Sequence, residues 1–114
     1  MHADLGDAYV AVGLHDHATK EYRKALRVCP TFVDIRTKLG TTLRDQGKIE
    51  ESLDELIAIR ESAPHFLQAR IHLGVTLWRA GRIPEAREEW QYVLGEDPDN
   101  RSCRVYLKMT DGEG

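Results

Sequence analysis

The sequence predicts an all-α fold: a right-handed superhelical solenoid of three helix-turn-helix repeats followed by a C-terminal capping helix, seven helices in all. Two observations predict it. A skeleton of residues recurs every 34 positions without an insertion. In the middle third it reads Leu39-Gly40, Leu43, Gly47, Ser52, Leu56, Ile59 and Pro64. One period earlier stand Leu5-Gly6, Tyr9, Gly13, Ala18, Tyr22, Ala25 and Pro30, and one period later Leu73-Gly74, Leu77, Gly81, Ala86, Trp90, Val93 and Pro98. Four columns are identical in all three copies, and at ordinary glycine and proline frequencies chance agreement is on the order of 10⁻⁹. The second observation is spacing. Within each copy the apolar residues fall at helical intervals in two stretches, parted by a glycine and closed by a proline, which is the pattern of a helical hairpin.

The elements follow from the middle copy. Arg36, Leu39, Gly40 and Leu43 share one face of a first helix running from Val33 to Asp45, and Gly47 is the residue able to leave a helix with positive φ. Ser52, Leu53, Leu56, Ile57 and Ile59 make a second apolar stripe, stopped by Pro64, which cannot continue a helix. A turn this short permits only an antiparallel pair. The same spacing places helices near residues 2–12, 16–28, 33–45, 50–62, 67–79, 84–96 and 100–110. Pro84 falls in the first turn of its helix, where a missing N–H costs nothing. Gly40 with Ser52, Gly6 with Ala18 and Gly74 with Ala86 are expected to mark the closest approach of the paired helices. Tyr22, Leu56 and Trp90 are expected to fill the space between one pair and the next.

Residues 101–110 keep the period with Arg104 and Leu107 but carry Lys108 in the glycine column, so this segment reads as a terminal cap with a polar outer side. The expected organisation is a single domain over residues 1–114, with repeats at about 1–32, 33–66 and 67–100 and the capping helix at 101–110. The first helix opens almost at Met1 without a preceding cap, which leads us to expect a chain cut from a longer protein.

The order Leu-Gly, Tyr or Leu, Gly, then Ala or Ser, a bulky residue and Pro resembles the tetratricopeptide repeat, over nearly the whole chain. The departure is the signature tryptophan three residues before Leu-Gly, replaced here by His2, Arg36 and Arg70. With Arg104 one period on, these arginines are read as ordinary solvated side chains. The alternative is a ladder whose stems pack while the heads reach carboxylates.

The resemblance implies that the first helices line a concave groove holding an extended or helical segment of a partner. In the middle repeat the groove face is Asp34, Thr37, Lys38, Thr41, Arg44 and Asp45; in the first it is Ala3, Asp4, Asp7, Val10 and Ala11. In the third it is Gln68, Ile71, His72, Val75, Trp78 and Arg79, and in the capping helix Ser102, Val105, Tyr106 and Met109. The groove is therefore acidic at its N-terminal end and apolar at its C-terminal end, where Ile71, Val75 and Trp78 form a second stripe that stacking does not require. Chaperone-binding members of the family hold the carboxylates of their ligand with Lys and Asn, then Asn, then Lys and Arg. The matching positions here are Ala3 and Asp7, then Lys38, then Gln68 and His72, so almost none of that clamp is present.

Composition excludes other classes. With 41% hydrophobic and 31% charged residues the balance is that of a soluble globular domain, and no apolar run approaches a bilayer span. A net charge of −3 with interspersed signs offers no footprint for nucleic acid. Cys29 and Cys103 make neither a disulfide framework nor a metal motif, and a reducing cytoplasm is the expected location. Cys29 is expected to be a small half-buried thiol. His2 with His15-Asp16-His17 is too sparse for a metal site, and no nucleophile-base pair or phosphate loop occurs. The expected function is a cytoplasmic scaffold or adaptor: a protein-binding module without catalysis, cofactor, nucleic acid or membrane, taking a protein or peptide ligand. Its groove residues would be Asp7, Lys38, Thr41, Arg44, Ile71, His72, Val75, Trp78, Val105, Tyr106 and Met109. The alternative is homo-oligomerisation through the same groove.

Overall fold

The computed structural model describes residues 2–112, and every described element is helical. The helices are α1 (His2–Ala11), α2 (His15–Val28), α3 (Val33–Asp45), α4 (Ile49–Ser62), α5 (Leu67–Arg79), α6 (Ile83–Glu96) and α7 (Arg101–Met109). Each lies within a residue or two of its expected span. α1 packs on α2, α3 on α4 and α5 on α6, and the hairpins then stack through α2 on α3, α4 on α5 and α6 on α7. The result is a solenoid measuring 41 × 25 × 22 Å, whose radius of gyration of 14.2 Å exceeds the ~13 Å of a compact domain of this length.

The turn inside each hairpin is set by one glycine. Gly47 has φ +82°, its N–H bonds to the Arg44 carbonyl at 2.9 Å, and the Lys48 N–H reaches back to the Leu43 carbonyl at 2.9 Å. This is the Schellman arrangement, which satisfies the last carbonyls of the first helix and reverses the chain. Gly13 and Gly81 repeat it. Between hairpins the residue before each proline leaves the helical region, as at Ala63 (φ −141°, ψ 69°), and the second helix stops there. Only α7 has a side-chain N-cap among the described helices with assigned caps: Asn100 accepts from the Cys103 N–H at 2.9 Å.

The other glycine column works by absence of bulk, with a partner different from the expected one. A Cβ on Gly40 would lie 2.9 Å from the Leu56 side chain, one on Gly6 would meet the Tyr22 ring, and one on Gly74 would strike the Trp90 indole. The bulky residue of the second helix therefore lies on the bare backbone of its own hairpin, where we had expected the small residue. Ser52 instead approaches the next hairpin, its hydroxyl 3.4 Å from that of Thr76. Trp90 also reaches forward, with its ring 5.0 Å from Tyr106 of α7, while its Nε1 donates to the Ile71 carbonyl at 3.3 Å.

The arginines in the tryptophan column are not simply solvated. Arg36 Nη1 binds Glu55 at 2.7 Å and its Nη2 donates to the Pro30 carbonyl at 3.0 Å. Arg70 repeats both contacts, to Glu89 at 3.1 Å and Pro64 at 2.9 Å, with its guanidinium 3.7 Å from the Tyr92 ring centroid. His2 lies 3.1 Å from Glu21. The acidic partners form a column of their own, Glu21, Glu55 and Glu89, at the same 34-residue period. Arg104 keeps the proline contact, at 3.0 Å to Pro98, but faces only the exposed Asp99.

Gly40→Leu and Gly74→Leu are expected to destabilise by about 1 to 3 kcal/mol each through overpacking, whereas Lys108→Leu, at an exposed site of the same column, is close to neutral. Gly74→Ala should cost more than Gly40→Ala, because an indole yields less than a leucine tip. Urea unfolding ranks the five variants, and equal losses in Gly74→Leu and Lys108→Leu would place a packed helix against α7.

Candidate partner-binding groove

α3 touches α5 directly, whereas α4 and α6 barely meet. At this junction the first-helix side is therefore the more closely drawn, concave side of the stack. Two hollows lie along it. One of about 400 Å³ sits between α3 and α5, lined by Asp34, Thr37, Lys38, Thr41, Gln68 and His72 with Phe66 at its edge. The other, of about 410 Å³, sits between α1 and α3 and is lined by Asp7, Val10, Ala11, Tyr22, Lys38 and Thr41, with Thr42 behind them. Of the residues expected to face a groove, Asp7, Val10, Ala11, Asp34, Thr37, Lys38, Thr41, Gln68 and His72 line these two hollows, while Arg44 and the α5 and α7 residues Ile71, Val75, Trp78, Val105, Tyr106 and Met109 do not.

Its N-terminal end is largely self-neutralised. Asp7 accepts from Tyr22 Oη at 2.6 Å and from Lys38 Nζ at 2.9 Å across 31 residues of sequence. Burial alone would raise the Asp7 pKa, but these two donors outweigh it and hold the carboxyl below its ordinary value. Burial, and then the Asp7 carboxylate, push the Tyr22 phenol well above its ordinary value. Thr41 donates to the Lys38 carbonyl at 3.1 Å. Thr37, expected to face the groove, is buried and turns its hydroxyl to the Val33 carbonyl at 2.8 Å.

In the middle, Arg44 lies half-buried over α5, its Nη1 3.3 Å from the His72 carbonyl and 3.4 Å from the Thr76 hydroxyl. Burial lowers the Arg44 pKa, opposed by Asp45 and reinforced by Arg79. His72 Nδ1 is buried without a protein partner. Its pKa is lowered first by burial and then by the Arg44 charge, with Asp45 opposing.

At the C-terminal end the expected apolar stripe divides. Ile71, Val75 and Trp78 are half-buried against the core, and Trp78 meets Trp90 edge-on at 5.9 Å and Tyr106 at 6.3 Å. Tyr106 is likewise half-buried, whereas Val105 and Met109 stand 52% and 54% exposed. Sequence reasoning missed Phe66 at the edge of the α3–α5 hollow; the signal available was its recurrence one period after Phe32.

The remaining chemistry-bearing residues do not converge. Among the described residues no group of three or more His, Cys, Asp or Glu side chains could hold a metal ion. Asp16 accepts from Gln46 Nε2, and His17 stacks on Tyr9 at 5.1 Å. Cys29 is exposed, not half-buried as expected, because it follows the last turn of α2 in the inter-hairpin loop; Cys103 is buried, and burial with Asp97 raises its pKa to about 11. No described helix is long and apolar enough to cross a membrane.

Stacked helical hairpins with a concave first-helix face define the class of helical-repeat solenoids. The family model for the tetratricopeptide repeat matches residues 37–101, and the chain belongs to the tetratricopeptide repeat family. Among solved structures it is similar to the Arabidopsis OM64 TPR domain, with a TM-score of 0.92 at 13% identity, covering 99% of this chain and 93% of that one. It is also similar to the first TPR of Spaghetti (RPAP3) bound to the HSP90 peptide SRMEEVD, with a TM-score of 0.91 at 17% identity over 96% and 87% of the two chains. A third is YrrB, described as a TPR protein with an unusual peptide-binding site, with a TM-score of 0.87 at 21% identity over 94% of this chain and 55% of that one. No curated protein matches the sequence closely enough to serve as a relative.

His72 gives the groove a pH response of definite sign. Its folded pKa lies below the ordinary 6.5, so between the two values the unfolded chain binds more protons. The associated stability is present above pH 6.5 and is lost as pH falls through the folded pKa. His72→Gln is expected to flatten the fall in urea midpoint between about pH 7.5 and 5.5. An identical slope in the variant would assign the response to other groups.

Proposed function

We propose that this chain is a protein-interaction module that holds a peptide or helical segment of a partner protein in the groove formed by α1, α3, α5 and α7, and performs no chemistry of its own. The observation that carries the reading is the C-terminal end of that groove. There the exposed Val105 and Met109 adjoin half-buried Trp78 and Tyr106, an uncovered apolar patch with aromatic anchors of the type that dominate binding energies. Asp7, Lys38, Thr41, Arg44, Ile71, His72 and Val75 complete the proposed site. In the same reading residues 1–114 are one domain, with repeats at about 1–32, 33–66 and 67–100, and α7 acts as the cap. The scaffold or adaptor role rests on family membership together with the absence of a convergent polar pocket among the described residues.

The ligand differs from the acidic tail carried by the solved RPAP3 domain. Lys38, the one lysine or arginine among the positions matching the clamp and standing where the clamp has Asn, is already engaged by Asp7, and Asp7 itself would repel a carboxylate. Calorimetry with SRMEEVD is expected to show no measurable binding; micromolar affinity would overturn this assignment.

The groove itself is tested with a peptide selected from a displayed library on the wild-type protein. Met109→Ala and Val105→Ala, at exposed sites, should leave the thermal midpoint within about 2 °C. Together with Trp78→Ala they should weaken the peptide by about tenfold or more. Unchanged affinity in all three variants would remove the groove as the binding surface.

A further inference from the structure

The middle of the groove carries a positive charge that no described carboxylate answers. The half-buried arginines are Arg36, Arg44, Arg60, Arg70 and Arg87. Arg36, Arg60, Arg70 and Arg87 each have a carboxylate oxygen close by, at 2.7, 2.8, 3.1 and 4.0 Å respectively. Arg44 has none within 4.0 Å among the described residues. Its hydrogen bonds run from Nη1 to two neutral acceptors, the His72 carbonyl and the Thr76 hydroxyl, at 3.3 and 3.4 Å, long for a guanidinium donor. Its Nε is buried without a partner, and its Nη2 engages no acceptor among the described residues. Asp45 beside it is exposed, and Arg79 on α5 adds a second positive charge near by.

The fold does not require this charge. Arg44 belongs to a column whose other members are Val10 and Trp78, so apolar side chains serve the stack at the same place. A guanidinium drawn partly out of water without a counter-charge is destabilising, and an incoming carboxylate offsets that loss. Position says which kind of carboxylate. Arg44 lies across α5 at His72 and Thr76, and Trp78 of the same helix meets Tyr106 at 6.3 Å, beside the exposed Val105 and Met109. The unanswered charge and the uncovered apolar patch are thus neighbours along one groove, about one helix spacing or ~10 Å apart. A free inorganic anion would use the first and leave the second bare. A protein segment bearing Asp or Glu near a large apolar side chain uses both, the two standing roughly two to four residues apart if extended or about seven if helical. No chain terminus is needed, since the lysines of a terminal clamp are replaced here by Ala3 and Gln68.

We infer that Arg44 is a specificity-determining residue of the groove, selecting a partner segment whose acidic side chain lies one helix spacing from the apolar residue received by Trp78, Val105 and Met109. This role rests on the groove reading above, and the test separates the two. Peptides are selected from a displayed random library on the wild-type protein, and the strongest is synthesised with its acidic residue and with the matching amide. Both are titrated by calorimetry against wild type, Arg44→Gln, Arg44→Lys and Trp78→Ala. The amide peptide is expected to bind the wild type about tenfold or more weakly than the acidic one. Arg44→Gln should bind the two alike, and Arg44→Lys, which keeps the charge, should retain part of the preference. Loss of an unpaired charge should leave the thermal midpoint of Arg44→Gln within about 3 °C of wild type, and the swap on the peptide needs no variant at all. Selected peptides without an acidic residue, or an amide peptide that binds the wild type equally well while Trp78→Ala weakens both, overturn the role of Arg44 and leave the groove standing. An acid preference undiminished in Arg44→Gln belongs to another cation and overturns it too. A library that yields no binder, or binders indifferent to both Arg44→Gln and Trp78→Ala, overturns the groove reading and the role of Arg44 with it.

Discussion

The contact on which the rest depends is a bulky side chain lying on a bare helix backbone. Tyr22 on Gly6, Leu56 on Gly40 and Trp90 on Gly74 set the distance between the helices of each hairpin. Because that distance recurs, the second helix of each hairpin packs on the first helix of the next, and α3 is drawn onto α5 on the groove side. The bulky residue varies from phenol to isobutyl to indole, so the glycine is what the geometry fixes and the filler sets the local thickness. Overpacking costs are steep at such sites since both surfaces are already in contact. The turn glycines are different in kind: a Cβ on Gly13, Gly47 or Gly81 would meet nothing, and only the positive φ demands glycine there.

Where the family signature places a tryptophan, this chain uses an ion pair with a backbone anchor. Arg36 and Arg70 each join three segments: their own first helix, the proline loop that precedes it, and a glutamate on the following second helix. Glu89 receives both Arg70 and Arg60, at 3.1 and 2.8 Å, with only 9% of its side chain exposed. A carboxylate so placed requires its cations, since an unpaired charge in that setting is strongly destabilising. The arrangement favours one register of first helix against second. Arg104 shows the contrast, holding its proline carbonyl while its head remains in solvent.

Much of this was legible in the sequence because a repeat averages out local ambiguity. Three copies of each column identified the turn glycines, the stop at each proline and the helix spans. Contacts between columns were less legible. The sequence pattern pairs Gly40 with Ser52, whereas the side chain that lies on it is Leu56, four residues further on and one helical turn along the same face; spacing along one helix does not say which turn of the partner stands opposite. The arginine column looks solvated in the sequence because its carboxylate lies 19 residues away on another helix. The recurrence of Glu21, Glu55 and Glu89 was the signal that could have found it. In the groove, the period placed Asp7 and Lys38 on one face, but their mutual neutralisation depends on how closely α1 and α3 approach.

The buried side chains fall into two clusters whose boundary does not respect the repeats. One gathers Ala18, Tyr22, Leu26, Ile35, Leu39 and Leu43 from α2 and α3; the other runs from Leu53 on α4 to Cys103 on α7. The seam passes through the middle hairpin, beside Gly40, where one side contributes no side chain at all. The two clusters are nonetheless joined there, because α3 packs on α4 as fully as in the other hairpins and Leu56 lies on Gly40 across the seam. The hollow lined by Asp34, Lys38, Gln68 and His72 has one wall on α3 and the other on α5, so each wall is backed by a different cluster. A segment seated there would touch both clusters at once and tie their stabilities together.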